Sequence, residues 1–247
     1  MTAPLFFVDP ALLDGAGVGA TVRLTGPEGR HAATVRRIGV GEQVLLADGT
    51  GTRATAVVQD AGRDELTLRL QAVEAVAAPD PRFVLVQALA KGDRDEQAVE
   101  SATELGVDEV VPWQAGRSIV VWRGDRAAKA HRKWESVVHA ATKQSRRPLA
   151  PVVAPLESTR ALTARLRDAA LALVLHEDGG TPLAGVALPA AGDVVLVVGP
   201  EGGISPEELA AFEEAGAVAV RLGDSVLRSS SAGPAALAVL SAAGRWR

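Results

Sequence analysis

The 247-residue chain contains no cysteine. This excludes a disulfide framework, a thiolate nucleophile, an iron–sulfur cluster and a Cys-ligated zinc. Histidine is nearly as scarce. His31, His131, His139 and His176 form no HExxH pattern, so no dedicated metal site is expected. An export or membrane signal is lacking as well. The first ten residues have no basic stretch leading into an apolar one, and the most apolar window, 182–200, is interrupted by Pro189, Gly192 and Asp193. A soluble cytoplasmic protein with no membrane partner is the expectation. Lysine is rare too, four against 22 arginines, which together with abundant alanine reads as genomic composition bias.

What remains is an ordinary globular composition, 47% hydrophobic and 23% charged, long enough for one large domain or two smaller ones. The net charge of −4 hides an asymmetry. Residues 117–147 carry nine basic and two acidic side chains, while the rest of the chain is acidic. Such a segment suits local contact with a polyanion, although a solvated helix face accounts for it as well.

Two halves differ in periodicity. Short strands are expected at 5–8, 21–24, 43–47, 53–58 and 65–73, with one helix over 27–38 and a turn at Asp48-Gly49. Leu66, Leu68 and Leu70 alternate with polar residues as in a half-buried strand. This spacing suggests a small β-barrel. AVAAPDP at 75–81 reads as a linker. Strands then alternate with helices: strands at 83–89, 109–112, 171–175, 194–198 and 218–222, and helices at 93–105, 126–145, 159–170, 206–215 and 231–243. That order implies a parallel sheet covered on both faces. Ser205, Pro206 and Glu208 form a capping box at the start of one helix.

Two segments carry chemistry. In VVLVVGPEGGIS (194–205) a buried strand runs into Gly199-Pro200-Glu201-Gly202-Gly203 and a capped helix. Glycines at a strand's carboxyl end let backbone amides approach a ligand. A plain strand-to-helix turn is the competing reading. Neither GxGxxG nor the P-loop pattern fits, which disfavours nucleotide phosphate cradling. In LGDSVLRSSSAG (222–233) a second strand ends at Leu222-Gly223, and a loop leads to Arg228 and three serines that can cap the last helix.

GPEGGIS followed by LGDSVLRSSSAG closely resembles the RsmE family of SPOUT methyltransferases, which modify N3 of a uridine in small-subunit ribosomal RNA. QALAKG (87–92), ATELGVD (102–108), RSIVV (117–121), AATKQSRR (140–147) and VRRI (35–38) resemble further family blocks, so the likeness covers nearly the whole chain. It implies a C-terminal SPOUT α/β-knot domain with a mostly parallel sheet (80–247), preceded by a small PUA-like β-barrel that holds RNA (1–75), and a homodimer. It implies S-adenosylmethionine as cofactor, held by Leu175, His176, Gly199, Pro200, Glu201, Gly202, Gly203, Leu222, Gly223, Val226, Leu227 and Arg228. This chain departs from the family at Ser230, which stands where LRTETA has Glu, and at Ser101, where many members have Lys.

On this reading Arg228 stabilises the uracil anion or clamps a phosphate, and Glu201 acts as a base or fixes its loop. RNA contacts are expected from Arg36, Arg37, Arg117, Arg123, Arg146 and Arg147. Trp113, Trp122 and Trp134 could stack bases, but core packing suits them better. Methylation at uracil C5 usually needs a Cys adduct, so a nitrogen or ribose oxygen is the open target. Two alternatives stand beside uridine N3: transfer to a different RNA position such as a ribose 2′-hydroxyl, and a non-catalytic RNA-binding assembly protein.

Overall fold

The computed structural model describes residues 3–246. Its chain forms two compact units, one of residues 1–78 with 142–150, the other of residues 79–141 with 151–247.

The first unit contains β1 (Leu5–Phe7), α1 (Pro10–Leu13), β2 (Thr21–Leu24), α2 (Gly26–Arg30), β3 (Gln43–Ala47), β4 (Thr52–Ala61) and β5 (Leu66–Ala75). The sheet order is β1-β3-β4-β5-β2, antiparallel except for the β1–β3 pair. Alternation builds the core: Leu66, Leu68 and Leu70 face inward with Val44, Leu46, Ala54, Ala56 and Phe6. Register shifts at Thr55/Ala56 and Val58/Asp60 bend β4 around that core. Asp48 forms the β3–β4 turn, its Oδ1 accepting the N–H groups of Thr50 (2.8 Å), Gly51 (3.0 Å) and Thr52 (2.9 Å).

Two elements depart from the sequence reading. A short helix at Pro10–Leu13 was not anticipated; Asp9 caps it by accepting the Ala11 N–H, with Pro10 at the first position. The single helix expected at 27–38 is instead α2 followed by a π-helical turn, His31–Val35. Thr34 Oγ1 donates to the Arg63 carbonyl (2.6 Å) across this turn, and Arg37, at φ 54°, ends it.

The second unit contains β6 (Arg82–Ala88), α3 (Arg94–Glu104), β7 (Glu109–Gln114), α4 (Asp125–Gln144), β8 (Val152–Val153), β9 (Glu157–Ser158), α5 (Thr159–Asp168), β10 (Leu171–Leu175), β11 (Thr181–Pro182), β12 (Asp193–Val198), α6 (Pro206–Glu214), β13 (Val218–Arg221) and α7 (Ser229–Ala243). The last residues of α4, from Thr142, belong to the first unit. The strands run in the order β11-β13-β10-β12-β6-β7-β8, all pairs parallel, with β9 also on β7.

The central strands are apolar on both sides because helices cover both faces. In β6, Phe83 and Leu85 enter one core and Val84 and Val86 the other; in β12, Val194, Leu196 and Val198 oppose Val195 and Val197. All three internal tryptophans belong to these cores. Trp113 packs edge-on to Phe212, and Trp122 packs edge-on to Trp134 at 5.5 Å between ring centroids. The last helix begins at Ser229, two residues earlier than expected. The serines lie in its first turn and do not cap it. Arg228 is the cap residue, its carbonyl accepting the N–H groups of Ser231 and Ala232, both at 2.9 Å. Beyond α7, Arg245 lies over the Phe83 ring, pairs with Asp108 and donates to the Pro81 carbonyl (2.7 Å), anchoring the helix's far end to the start of β6.

Candidate active site at the carboxyl edge of the parallel sheet

Strands β13, β10 and β12 are neighbours, so their carboxyl ends open side by side. Every residue that the resemblance assigns to the cofactor lies on these three exits. Leu175 and His176 leave β10; Gly199, Pro200, Glu201, Gly202 and Gly203 leave β12; Leu222, Gly223, Val226, Leu227 and Arg228 leave β13.

The β12 exit is tightly tied. At Gly199 a Cβ would lie 2.7 Å from Ile204 Cγ1, so only glycine fits. The Gly203 N–H donates to the Pro200 carbonyl (2.9 Å), and Gly203 has φ +72°. Glu201 Oε1 accepts two bonds from the β6 exit, the Lys91 N–H at 3.1 Å and Arg94 Nη1 at 2.9 Å. Arg117, from the β7 exit, donates through Nη1 to the Gly202 carbonyl (3.1 Å). Its Cβ would lie 3.2 Å from a Cβ at position 202. The capping box is present, with Ser205 and Glu208 exchanging side-chain-to-backbone bonds at 3.2 Å each. The buried Glu208 goes further, its Oε1 accepting the Gly116 N–H and the Thr159 hydroxyl, both at 2.8 Å.

These contacts bear on Glu201 as a base. Burial alone would raise its pKa, but its own N–H, the Lys91 N–H and the Arg94 guanidinium outweigh burial and hold it below the ordinary carboxylate value. A carboxylate held below its ordinary pKa, with Oε1 already engaged, is a weaker base than a free one. The loop-fixing role fits the geometry.

The β13 exit is the opposite case. No main-chain hydrogen bond is made by the N–H groups of residues 223–227 to other described residues. Val226 and Leu227 are 79% and 40% exposed. Asp224 is paired loosely with Arg221 at 3.5 Å. The exposed Arg228 guanidinium has no partner among the described residues. Two buried polar atoms lack partners near the ends of other elements, Gln87 Oε1 close to the end of β6 and Ser229 Oγ at the start of α7. On the β10 exit, the His176 N–H donates to the Val220 carbonyl (3.0 Å), and its Nδ1 accepts the Asp178 N–H (3.2 Å).

The expected RNA-contacting arginines fall in several places. Arg117 lies on the glycine loop, and Arg123 is exposed just before α4. Arg36, Arg37, Arg146 and Arg147 belong to the first unit. There, Arg36 and Arg37 follow the π-helical turn beside a cavity of 560 Å³ lined by Gly26, Pro27, Arg30, His31, Val35 and Asp64. Arg94, Thr159, Gly116 and the outward reach of Glu208 were not foreseen, since each partnership spans 49 or more residues. The only local signal was Glu208 in its capping box. Among the described residues no group of His, Asp or Glu is arranged to hold a metal, and no helix is long and apolar enough to cross a membrane.

A parallel sheet whose glycine-bearing exits open on either side of β10, in one chain with a small β unit, defines a SPOUT α/β domain with a PUA-like partner domain. The chain belongs to the RNA methyltransferase family: the RNA methyltransferase domain matches residues 78–241, and the RNA methyltransferase PUA domain matches residues 24–71. It is 47% identical to the ribosomal RNA small subunit methyltransferase E of Mycobacterium bovis, over 100% of this chain and 94% of that protein. The Bacillus subtilis protein of that name is 28% identical over 90% of each chain. The solved structure of the Neisseria gonorrhoeae ribosomal RNA small subunit methyltransferase E bound to S-adenosyl methionine superposes with a TM-score of 0.83, at 28% identity over 98% of both chains. A Legionella pneumophila methyltransferase in complex with the same cofactor superposes at 0.81, again at 28% identity over 98% of both.

Proposed function

We propose that this protein transfers a methyl group from S-adenosylmethionine to N3 of a uridine in small-subunit ribosomal RNA. The observation that carries the reading is the pairing of a fixed glycine loop with an open apolar one on the two strands that flank β10. The site fits the cofactor's chemistry. Unpartnered backbone groups at 223–227 can meet its polar atoms, and Val226 and Leu227 offer apolar cover for an adenosyl group. Leu175, His176, Leu222 and the loop 199–203 complete the cradle.

When bound, the cofactor supplies an electrophilic methyl group on a sulfonium. The chain's own residues orient the acceptor and manage its proton. The uracil N3 imide is a weak acid of about phenol strength, pKa near 10, so its anion needs support. Arg228, an exposed cation with no partner among the described residues, is free to give it. The approach is then a matter of near-attack geometry set by the fixed loop.

RNA binding is divided, on this proposal, between Arg117 and Arg123 in the methyl-transfer domain (80–247) and Arg36 and Arg37 in the PUA-like domain (1–75), with Arg146 and Arg147 adding phosphate contacts. A cytoplasmic homodimer acting on the small ribosomal subunit, as the resemblance implies, belongs to the same reading; sedimentation of the purified protein tests the dimer.

The deciding experiment incubates the protein with unmethylated small-subunit particles and labelled S-adenosylmethionine, then resolves the nucleosides by mass spectrometry. 3-Methyluridine supports the proposal. A 2′-O-methyl product supports the alternative target, and no transfer with RNA still bound supports an assembly protein.

A further inference from the structure

The loop 199–203 consists largely of glycine and proline and has almost no side chains with which to hold its shape. Its geometry must be imposed from outside. One of the ties is made by a residue to which nothing yet gives a role. Arg94 is the first residue of α3, 107 positions away, and its Nη1 lies 2.9 Å from Glu201 Oε1. The same oxygen accepts the Lys91 N–H at 3.1 Å.

Helix stability does not account for this arginine. A cation in the first turn opposes the helix dipole, and the following Asp95 and Glu96 are the residues that suit that position. Its guanidinium is part-exposed, at 45%, yet turns to a carboxylate that is only 24% exposed. The contact instead joins the β6 exit to the tip of the β12 exit, across two strands that are neighbours in the sheet.

We propose that Arg94 is a positioning residue for the methyl-donor site: acting through Glu201, it holds the loop 199–203 in the shape that receives S-adenosylmethionine. The inference rests on the function proposed above and adds to it a determinant of donor affinity. Among the described residues the Arg94 side chain pairs only with Glu201, so its loss loosens the donor's cradle while the acceptor side is left intact. Its effect is therefore confined to the binding of one of the two substrates.

The test compares wild type, Arg94→Met, Arg94→Lys and Glu201→Gln in the full-length protein. Calorimetry gives the Kd for S-adenosylmethionine, thermal unfolding without ligand reports folding, and steady-state methylation of small-subunit particles separates kcat from the two KM values. Arg94→Met should raise the donor Kd about tenfold, as expected for loss of one charge-assisted bond that orders a loop, with kcat at saturating donor and the KM for particles nearly unchanged. Glu201→Gln should raise the donor Kd as well. Arg94→Lys, which keeps the cation, should recover most of the affinity. Unchanged donor affinity in Arg94→Met overturns the proposal, and so does a raised KM for particles alone, which would mark Arg94 as an RNA contact. A wild-type protein that binds no S-adenosylmethionine removes the parent reading together with this one, whereas wild-type binding matched by Arg94→Met removes this one only.

Discussion

The exits of β12 and β13 are both glycine-bearing, both end a strand of the parallel sheet and both lead into a helix, yet they are built differently. The β12 exit is tied at Glu201, Gly202 and Glu208 to three other parts of its unit, and its helix opens with a capping box. The β13 exit makes no such ties, exposes Val226 and Leu227, and enters a helix whose cap residue offers no side-chain bond. The difference teaches how a ligand site can be both specific and accessible. One wall is prefixed, which lowers the ordering cost on binding, and the other is left free to close on what arrives. It also explains the charge pattern. Glu201, Arg94 and Arg117 around the fixed loop are engaged internally, whereas the exposed Arg228 guanidinium has no partner among the described residues.

The sharpest way to break this comparison is a pair of glycine substitutions. A side chain at position 202 must enter space held by Arg117, whereas a Cβ at Gly223 meets no atom within 4 Å. Gly202→Val should therefore lower S-adenosylmethionine affinity by more than about 100-fold, and Gly223→Ala by only about threefold or less, both read by calorimetry. Equal effects would mean that the two loops are not different in kind.

A second contrast concerns stability. Glu208→Ala leaves the Gly116 N–H and the Thr159 hydroxyl without their buried acceptor, and should cost about 2–4 kcal/mol in urea unfolding. Asp224→Ala, on the open loop, removes a long, solvent-exposed pair and should cost less than about 0.5 kcal/mol. Arg228→Ala tests the chemistry of the open loop. It should lower kcat by about 10- to 100-fold in single-turnover methylation, with a smaller change in donor Kd.

A further effect is a gain. Asp95 lies beside the fixed loop's support, its Oδ2 3.4 Å from the Ala90 N–H. Burial raises its pKa from 3.8 to about 6, against the pull of the Glu96 and Ala90 N–H groups. The folded state thus holds this proton more tightly than the unfolded state does. The group's stabilising contribution is complete below pH 3.8 and is lost as pH rises through 6. Asp95→Asn should therefore raise stability by about 1–2 kcal/mol at pH 7.5 and by almost nothing near pH 4, measured as urea midpoints at both pH values.

Much of this was legible in the sequence where physics is local. Thr21–Leu24, Gln43–Ala47 and Leu171–Leu175 are strands over the residues that alternation and apolar runs indicate, and Ser205-Pro206 with Glu208 starts α6 as capping chemistry requires. Errors arose where a distant partner overrides local preference. Thr34 bonds to Arg63 across the first unit, and the expected helix becomes a π-helical turn. The three serines read as caps, but the extended backbone of Arg228 places them inside α7. The site divides the same way. The glycine exits were visible as motifs, whereas Arg94, Gly116 and Thr159 became part of the site only when the sheet order set their strands' ends and helix starts around the glycine loop.

The central claim is that one loop is ready for the methyl donor and the other becomes ordered around it. Amide hydrogen exchange with and without S-adenosylmethionine tests this most directly. Residues 222–228 should exchange quickly in the free protein and slow by about tenfold or more on adding the donor, while the bonded amides of Gly203 and Ser205 are slow from the outset and change little. No slowing at 222–228, or slowing confined to 199–205, would contradict it.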